Sequence, residues 1–246
     1  MRVCAHSGAV KSQLLLAELH AHTTWSDGTL SLPALVDLYG SHNFDVLCVT
    51  DHRLPADNGT RGYVGVHNWR AYLDELASES ERARREYGLV LVPGLELTDD
   101  HPDPLRSAHA LAIGLRTFVT IELGIRYALE EARRAGAALV AAHPHRPEDA
   151  GRRTCRFWHE RERLARLVDR FELVNRDDVY PWVAEARLPA VATGDFHRRE
   201  HLNTWKTLLP CARDEAAVVG CLRSAQRLYL APFPLGVRPV ATPVAA

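Results

Sequence analysis

His20-Ala21-His22 places two imidazoles two residues apart, and in extended backbone such side chains share one face. The pair can grip a single ion. Asp27, in the loop that follows, can reach back toward it. Further clusters of the same chemistry recur along the chain: Asp51-His52, Glu96, His143-Pro144-His145 and Asp195-Phe196-His197. Imidazole and carboxylate in combination suit zinc, manganese or iron. A carboxylate can bridge two ions, which a neutral imidazole cannot easily do, so a multinuclear site needs a few acids among many histidines. Taken singly, each residue is weak evidence, because a lone histidine at a strand end is more often a hydrogen-bonded structural residue. Their recurrence at separate strand ends points to one shared metal site.

Short apolar runs must supply those strand ends. Strands are expected at Leu14 to Leu19, Val46 to Thr50, Leu89 to Leu95, Ala108 to Leu115, Ala138 to Ala142, Phe171 to Asn175 and Ala190 to Thr193. Helices are expected between them, at Leu32 to Tyr39, Asn68 to Tyr87, Ile121 to Ala135, Glu160 to Asp169 and Tyr180 to Ala186, with a last one near Asp214 to Ser224. Ser31 is a good N-cap with Pro33 inside the first turn, and Gly88 and Gly136 sit where C-terminal caps belong. Strand–helix alternation predicts a mostly parallel sheet covered by helices. In a parallel barrel the strand ends open on one face, where such folds place their active sites.

The 246 residues, 46% hydrophobic and 25% charged, suit one soluble globular domain with a substantial core. The core is expected over about 14–230, with a Pro-rich tail over 231–246. A net charge of -1 argues against a dedicated nucleic-acid binder. Only Lys11 and Lys206 are lysines; the Ala- and Arg-rich composition fits a GC-rich bacterial gene. Arginines are dense from Arg133 to Arg176 and interleaved with acids, which reads as a solvated helical face. The five cysteines are widely spaced, with no C-x-x-C pair. Reduced thiols, no signal-peptide core and no membrane span imply a cytoplasmic protein.

The ordered set His20-Ala21-His22-Thr23-Thr24-Trp25-Ser26-Asp27-Gly28, Thr50-Asp51-His52, Gly94-Leu95-Glu96, Ala142-His143-Pro144 and Gly194-Asp195-Phe196-His197 resembles the PHP (polymerase and histidinol phosphatase) domain family, from about Leu14 to Leu230. The resemblance implies an α/β fold, a distorted (β/α)7 barrel, holding two or three divalent ions. Carried over, His20, His22, Glu96 and Asp195 hold the first ion. Glu96 bridges to a second, completed by His109 and His143. Asp27, His52 and His197 hold the third. For His109 the alternative is His101, in a Pro- and Asp-rich loop. No position of the nine is missing; Phe196 stands where relatives often carry a small residue.

The resemblance further implies a metal-dependent phosphoesterase that cleaves a small phosphate monoester or short nucleotide, since metal ions bring the pKa of bound water near neutrality. Asp195 is the candidate to take or relay a proton, and His197 or a water to protonate the leaving group. Arg146 and Arg198 are the candidate phosphate contacts. His145 and His201 are candidate outer donors. Asn175 is expected to orient the site, and Trp25 to line it or to pack in the core. The rival readings are hydrolysis of carboxylic or carbamate esters, a DNA-associated exonuclease, and a non-catalytic metal-binding domain.

Overall fold

The computed structural model describes residues 14–55, 62–149, 151 and 153–233. The tail beyond Phe233 lies outside the described residues. In chain order the elements are β1 (Leu15–Glu18), α1 (Leu32–Ser41), β2 (Val46–Val49), β3 (His52–Arg53), α2 (Trp69–Tyr87), β4 (Val90–Asp99), β5 (Ala108–Ile113), α3 (Ile125–Arg134), β6 (Ala138–Ala142), α4 (Arg156–His159), α5 (Arg161–Leu164), β7 (Arg170–Asn175), β8 (Asp178–Val179), α6 (Pro181–Glu185), β9 (Ala190–Thr193), β10 (Trp205–Leu209), α7 (Glu215–Arg223) and β11 (Tyr229–Pro232). The caps are the anticipated ones. The Ser31 hydroxyl accepts from the Ala34 N–H at 3.4 Å, and Gly88 ends α2 at φ 64°. All seven expected strands are present; β3, β8, β10 and β11 are additional. The helix expected over 160–169 is reduced to the single turns α4 and α5 on either side of Glu160.

The strands form one curled sheet in the order β11-β10-β1-β2-β4-β5-β6-β7-β8, with β3 on β4 and β9 on β7. A mostly parallel sheet is not what forms. β1–β2, β2–β4, β6–β7 and β7–β9 are parallel, whereas β4–β5 and β5–β6 are antiparallel. The reason is local: β4 and β5 are joined by a short loop with one 3-10 turn at Pro104–Arg106. A parallel return needs a crossover of a dozen or more residues. Past the strands, an isolated parallel bridge joins Ala21 to Phe196. The Phe196 N–H donates to the His20 carbonyl at 3.0 Å and the His22 N–H to the Phe196 carbonyl at 2.8 Å. The first and last of the seven expected strands thus meet at the chemically loaded end.

One face of the sheet packs Leu15, Ala17, Val46, Cys48, Leu111, Val140 and Val191 with Val218 and Leu222 of α7. A second, larger cluster packs Leu35, Val36, Tyr39, Tyr72, Leu129, Phe157 and Trp182 of the helices against Leu47, Leu91 and Phe171. No disulfide joins the described cysteines.

A buried ion pair locks the curl. Lys206 of β10 lies 2.8 Å from Glu18 of β1, both side chains fully buried. Glu18 Oε1 also accepts from the N–H groups of His20 (3.2 Å) and Gly194 (2.8 Å), and Oε2 from the Tyr39 hydroxyl (3.1 Å). Gly194 has no room for a side chain, since a Cβ there would meet Glu18 Oε2 at 2.4 Å and Lys206 Nζ at 2.5 Å. Lys206→Met strands a buried carboxylate, so urea unfolding should show a loss of about 3–5 kcal/mol. Adding Glu18→Gln should recover part of it.

Candidate metal centre

The carboxyl ends of β1, β2, β4, β6 and β9 converge, and the reversed β5 contributes its amino end. That reversal brings His109 in: it pairs with Ala142 and sits across from Thr98 in register. On an all-parallel strand, a histidine at the start would face the opposite end of the barrel.

Around this point the side chains form overlapping cages. His22, Asp27, His52 and His197 form one; His20, Glu96 and His143 another; His20, His22 and Asp195 a third, with ligand-capable atoms in each group within 4.8 Å of one another. His20 Nε2 lies 3.6 Å from Glu96 Oε2 and 3.5 Å from Asp195 Oδ1. His22 Nε2 lies 3.5 Å from the same two oxygens. The other Glu96 oxygen, Oε1, meets His109 Nδ1 at 3.0 Å and His143 Nε2 at 3.1 Å. Asp27 Oδ1 faces His197 Nε2 at 3.2 Å and His52 Nε2 at 3.6 Å. All nine sequence-nominated ligands therefore meet at one place. His101 does not: its Nδ1 accepts from the Asp103 N–H in the loop.

Whether the set fits metal ions can be tested on its own hydrogen bonds. His20 Nε2 and His22 Nε2 are buried and lack any hydrogen-bond partner, while the buried Glu96 Oε2 they face is met by His52 Nδ1 at 2.8 Å. Such atoms cost stability unless something binds them. Lone-pair nitrogens and carboxylate oxygens converging from several strands suit a divalent cation. The residues fit.

The opposite ring nitrogens are held from outside, which fixes which nitrogen faces inward. Glu172 takes His20 Nδ1 at 2.9 Å and Ser26 takes His22 Nδ1 at 3.3 Å, whereas His52 Nδ1 lies 2.8 Å from both Thr98 Oγ1 and Glu96 Oε2. Thr154 lies 3.2 Å from His143 Nδ1, and Asp100 lies 2.9 Å from His109 Nε2. Glu172 also accepts from the His143 N–H (2.6 Å), the Thr193 hydroxyl (2.7 Å) and the Asn175 amide (2.8 Å). Asn175 thus orients the site through Glu172. Asp51 is no ligand candidate: fully buried, it accepts from the Thr23 N–H, the Thr23 hydroxyl and the Ser26 hydroxyl, and so shapes the loop that carries Asp27. Two cage residues sit in left-handed backbone without being glycine, His143 at φ 28° and Asp195 at φ 41°. Strain of this kind persists only where its surroundings over-determine it.

Above the cages lies a cavity of about 640 Å³, lined by Asp27, His52, Glu96, His109, His143, Asp195 and His197 among others. His145, Arg198 and His201 line it too, as do Arg153 and Arg176. Arg146 is not among the lining residues; its guanidinium lies 3.3 Å from Asp149 and 3.4 Å from Glu148. Trp25 is not among them either: its indole donates to Glu75 at 2.6 Å and its ring meets Tyr72 edge-on. Arg176 ends the stretch read as a solvated helical face, yet it follows β7 and reaches Asp195. Glu172, Thr98, Asp100, Ser26 and Thr154 carried no motif of their own; only Glu172, a carboxylate inside an apolar strand, offered a hint.

Burial lowers His22 to about 3, assisted by the charge of His52. Burial presses His52, His109 and His197 down as well, but the surrounding carboxylates outweigh it and raise them to about 10, 9 and 9.

No family model matches the chain, and no curated protein matches it. Among solved structures, the chain is similar to a two-domain protein from Bacteroides vulgatus containing a predicted PHP-like metal-dependent phosphoesterase. The two share 22% identity at a TM-score of 0.66, over 89% of this chain and 64% of that one. A proposed metal-dependent phosphoesterase from Bifidobacterium adolescentis aligns at 17% identity and TM-score 0.49, over 74% of this chain and 88% of that one. An amidohydrolase from Chromobacterium violaceum with bound sulfate and no metal aligns at 16% identity and TM-score 0.49, over 74% and 87%. The first likeness establishes a shared fold, a curled α/β architecture. The chain spans less than two-thirds of that protein's length. No helix among the described residues is long and apolar enough to cross a membrane.

Two outcomes follow. Imidazoles raised to about 9–10 hold protons at pH 7 that an incoming cation must displace. Adding zinc to chelator-stripped protein should therefore release roughly two to four protons, with affinity rising toward alkaline pH. Calorimetry in buffers of different ionisation enthalpy reads both; a pH-independent affinity would contradict the assignment. Glu172→Gln should weaken zinc binding about 10–100-fold with the fold retained, measured by competition with a chelating dye.

Proposed function

We propose that this chain is a PHP-type metal-dependent phosphoesterase acting on a small phosphate monoester or short nucleotide. The observation that carries the reading is the convergence of two buried, partnerless ring nitrogens, on His20 and His22, upon the Glu96 and Asp195 carboxylates beneath an arginine-bearing cavity. His20, His22, Glu96 and Asp195 would hold one ion. Glu96, His109 and His143 would hold a second, and Asp27, His52 and His197 a third. Zinc, manganese and iron all suit such a donor set. Bound ions would supply Lewis acidity, lowering the pKa of water and offsetting negative charge on phosphate oxygens.

The protein's own groups would do the rest. Asp195 Oδ1 faces the cage, beside His20 and His22, and is the group placed to take a proton from the attacking water. His197, half-buried at the cavity wall, is placed to return a proton to the leaving oxygen. Arg198 and Arg153 supply cationic donors at the rim for nonbridging oxygens. His145 adds a ring nitrogen on the wall near His143, its Nδ1 paired with Thr154 at 3.0 Å. The cavity volume suits a small-molecule substrate rather than a long polymer. The near-neutral chain likewise gives little grip on an extended nucleic-acid backbone.

Parallel assays of metal-replete protein on p-nitrophenyl phosphate and p-nitrophenyl acetate test the reading. Phosphate turnover with at least about two bound metal equivalents is expected, and His20→Ala should abolish it while leaving a soluble fold. Fast acetate turnover with phosphate at background would instead assign the site to carboxylic esters.

A further inference from the structure

One cation beside the cages is used in a way the proposed chemistry leaves unexplained. Arg176 follows the last residue of β7 in left-handed backbone (φ 52°), and its N–H donates to the Thr193 carbonyl of β9 at 3.1 Å. The turn sends its side chain over the end of β9. There Nε and Nη2 donate to the Asp195 carbonyl at 3.0 and 2.8 Å, and Nη2 lies 2.9 Å from Asp195 Oδ2. The guanidinium therefore holds the backbone and the side chain of Asp195 together. With Oδ2 engaged, Oδ1 is the oxygen 3.5 Å from both His20 Nε2 and His22 Nε2. Asp195 is also the residue whose backbone lies at φ 41°. A rigid planar fork can keep both oxygens of such a residue in place, and a lysine ammonium, a point charge on a flexible stem, cannot.

We infer that Arg176 is a positioning residue: by clamping the Asp195 carbonyl and Oδ2 it dictates which carboxylate oxygen faces the metal cage. This rests on the phosphoesterase reading for its effect on turnover, and on the cage alone for its effect on metal binding. Arg176 acts through Asp195 and through His197, whose Nδ1 lies 2.9 Å from Nη2, so its loss should fall on kcat and on metal affinity. A cation that gripped the substrate phosphate would instead appear in KM.

The test compares the full chain with Arg176→Ala and Arg176→Lys. Zinc affinity, by dye competition, should fall about tenfold or more in Arg176→Ala. On p-nitrophenyl phosphate, kcat should fall about tenfold to a hundredfold with KM within about twofold. Millimolar guanidinium should restore part of the kcat of Arg176→Ala, which a purely structural role would not allow. Arg176→Lys should keep the wild-type melting temperature and still show the kcat loss, and it carries the same measurements if the alanine variant does not fold. Unchanged zinc affinity and kcat would overturn the inference, as would a loss confined to KM. If the wild type turns over no phosphate ester, the functional reading fails and the zinc comparison alone decides the role of Arg176.

Discussion

A carboxylate and an ammonium removed from water at the seam of the curled sheet hold the rest in place. Glu18 and Lys206 are both fully buried, and burial presses the Lys206 ammonium toward its neutral form while Glu18 opposes it. Neither charge is tolerable there alone. Their pairing fixes β1 against β10. The remaining valences of Glu18 then reach the backbone of His20 and Gly194. Thus one carboxylate sets the approach of two chain segments whose next residues are cage members. Gly194 is glycine because this pair fills the space where a side chain would stand.

Outward from the seam, the centre is organised in rings. The inner ring is imidazole and carboxylate; the outer ring is the set of groups on the far nitrogens of those imidazoles. Glu172 belongs to the outer ring and is its hub, tying His20, the backbone of His143, Thr193 and Asn175. Its own carboxyl is held below the ordinary range: burial pushes it up, but His20 and His143 prevail. Such a hub ties four strands, β1, β6, β7 and β9, into one hydrogen-bonded unit. The arrangement exchanges local stability for a set of inward-pointing lone pairs, as functional sites commonly do.

Much of the inner ring was legible because its members stand at the ends of apolar runs, where residue type stands out. His20 and His22 declare themselves by spacing, and Asp195 and His197 do the same. His109 was legible by resemblance, but the reason for its position was not. It depends on β5 running backward, and strand direction is set by the length of a connection rather than by the strand's own residues. The outer ring was largely invisible. Thr98, Thr154 and Ser26 are ordinary polar residues whose partners lie 46, 11 and 4 residues away. Arg146 looked better placed than Arg176 because nearness in sequence stood in for nearness in space. The loop salt bridges of Arg146 and the left-handed turn at Arg176 reverse that order. β10 and the edge strand β11 beside it also escaped notice, since Trp205-Lys206-Thr207 lacks the apolar run that marks the inner strands.

Glu96 divides its two oxygens, Oε2 toward His20, His22 and His52 and Oε1 toward His109 and His143. Two sides of the centre therefore draw on a single anion. A cation held on one side would polarise that carboxylate and stiffen its rotamer before the other side drew on it. The electrostatic cost of a second cation and the entropic gain of a pre-set ligand would act on the same carboxylate. Cations bound on the two sides would therefore be coupled, and a saturation curve would describe the pair rather than either half.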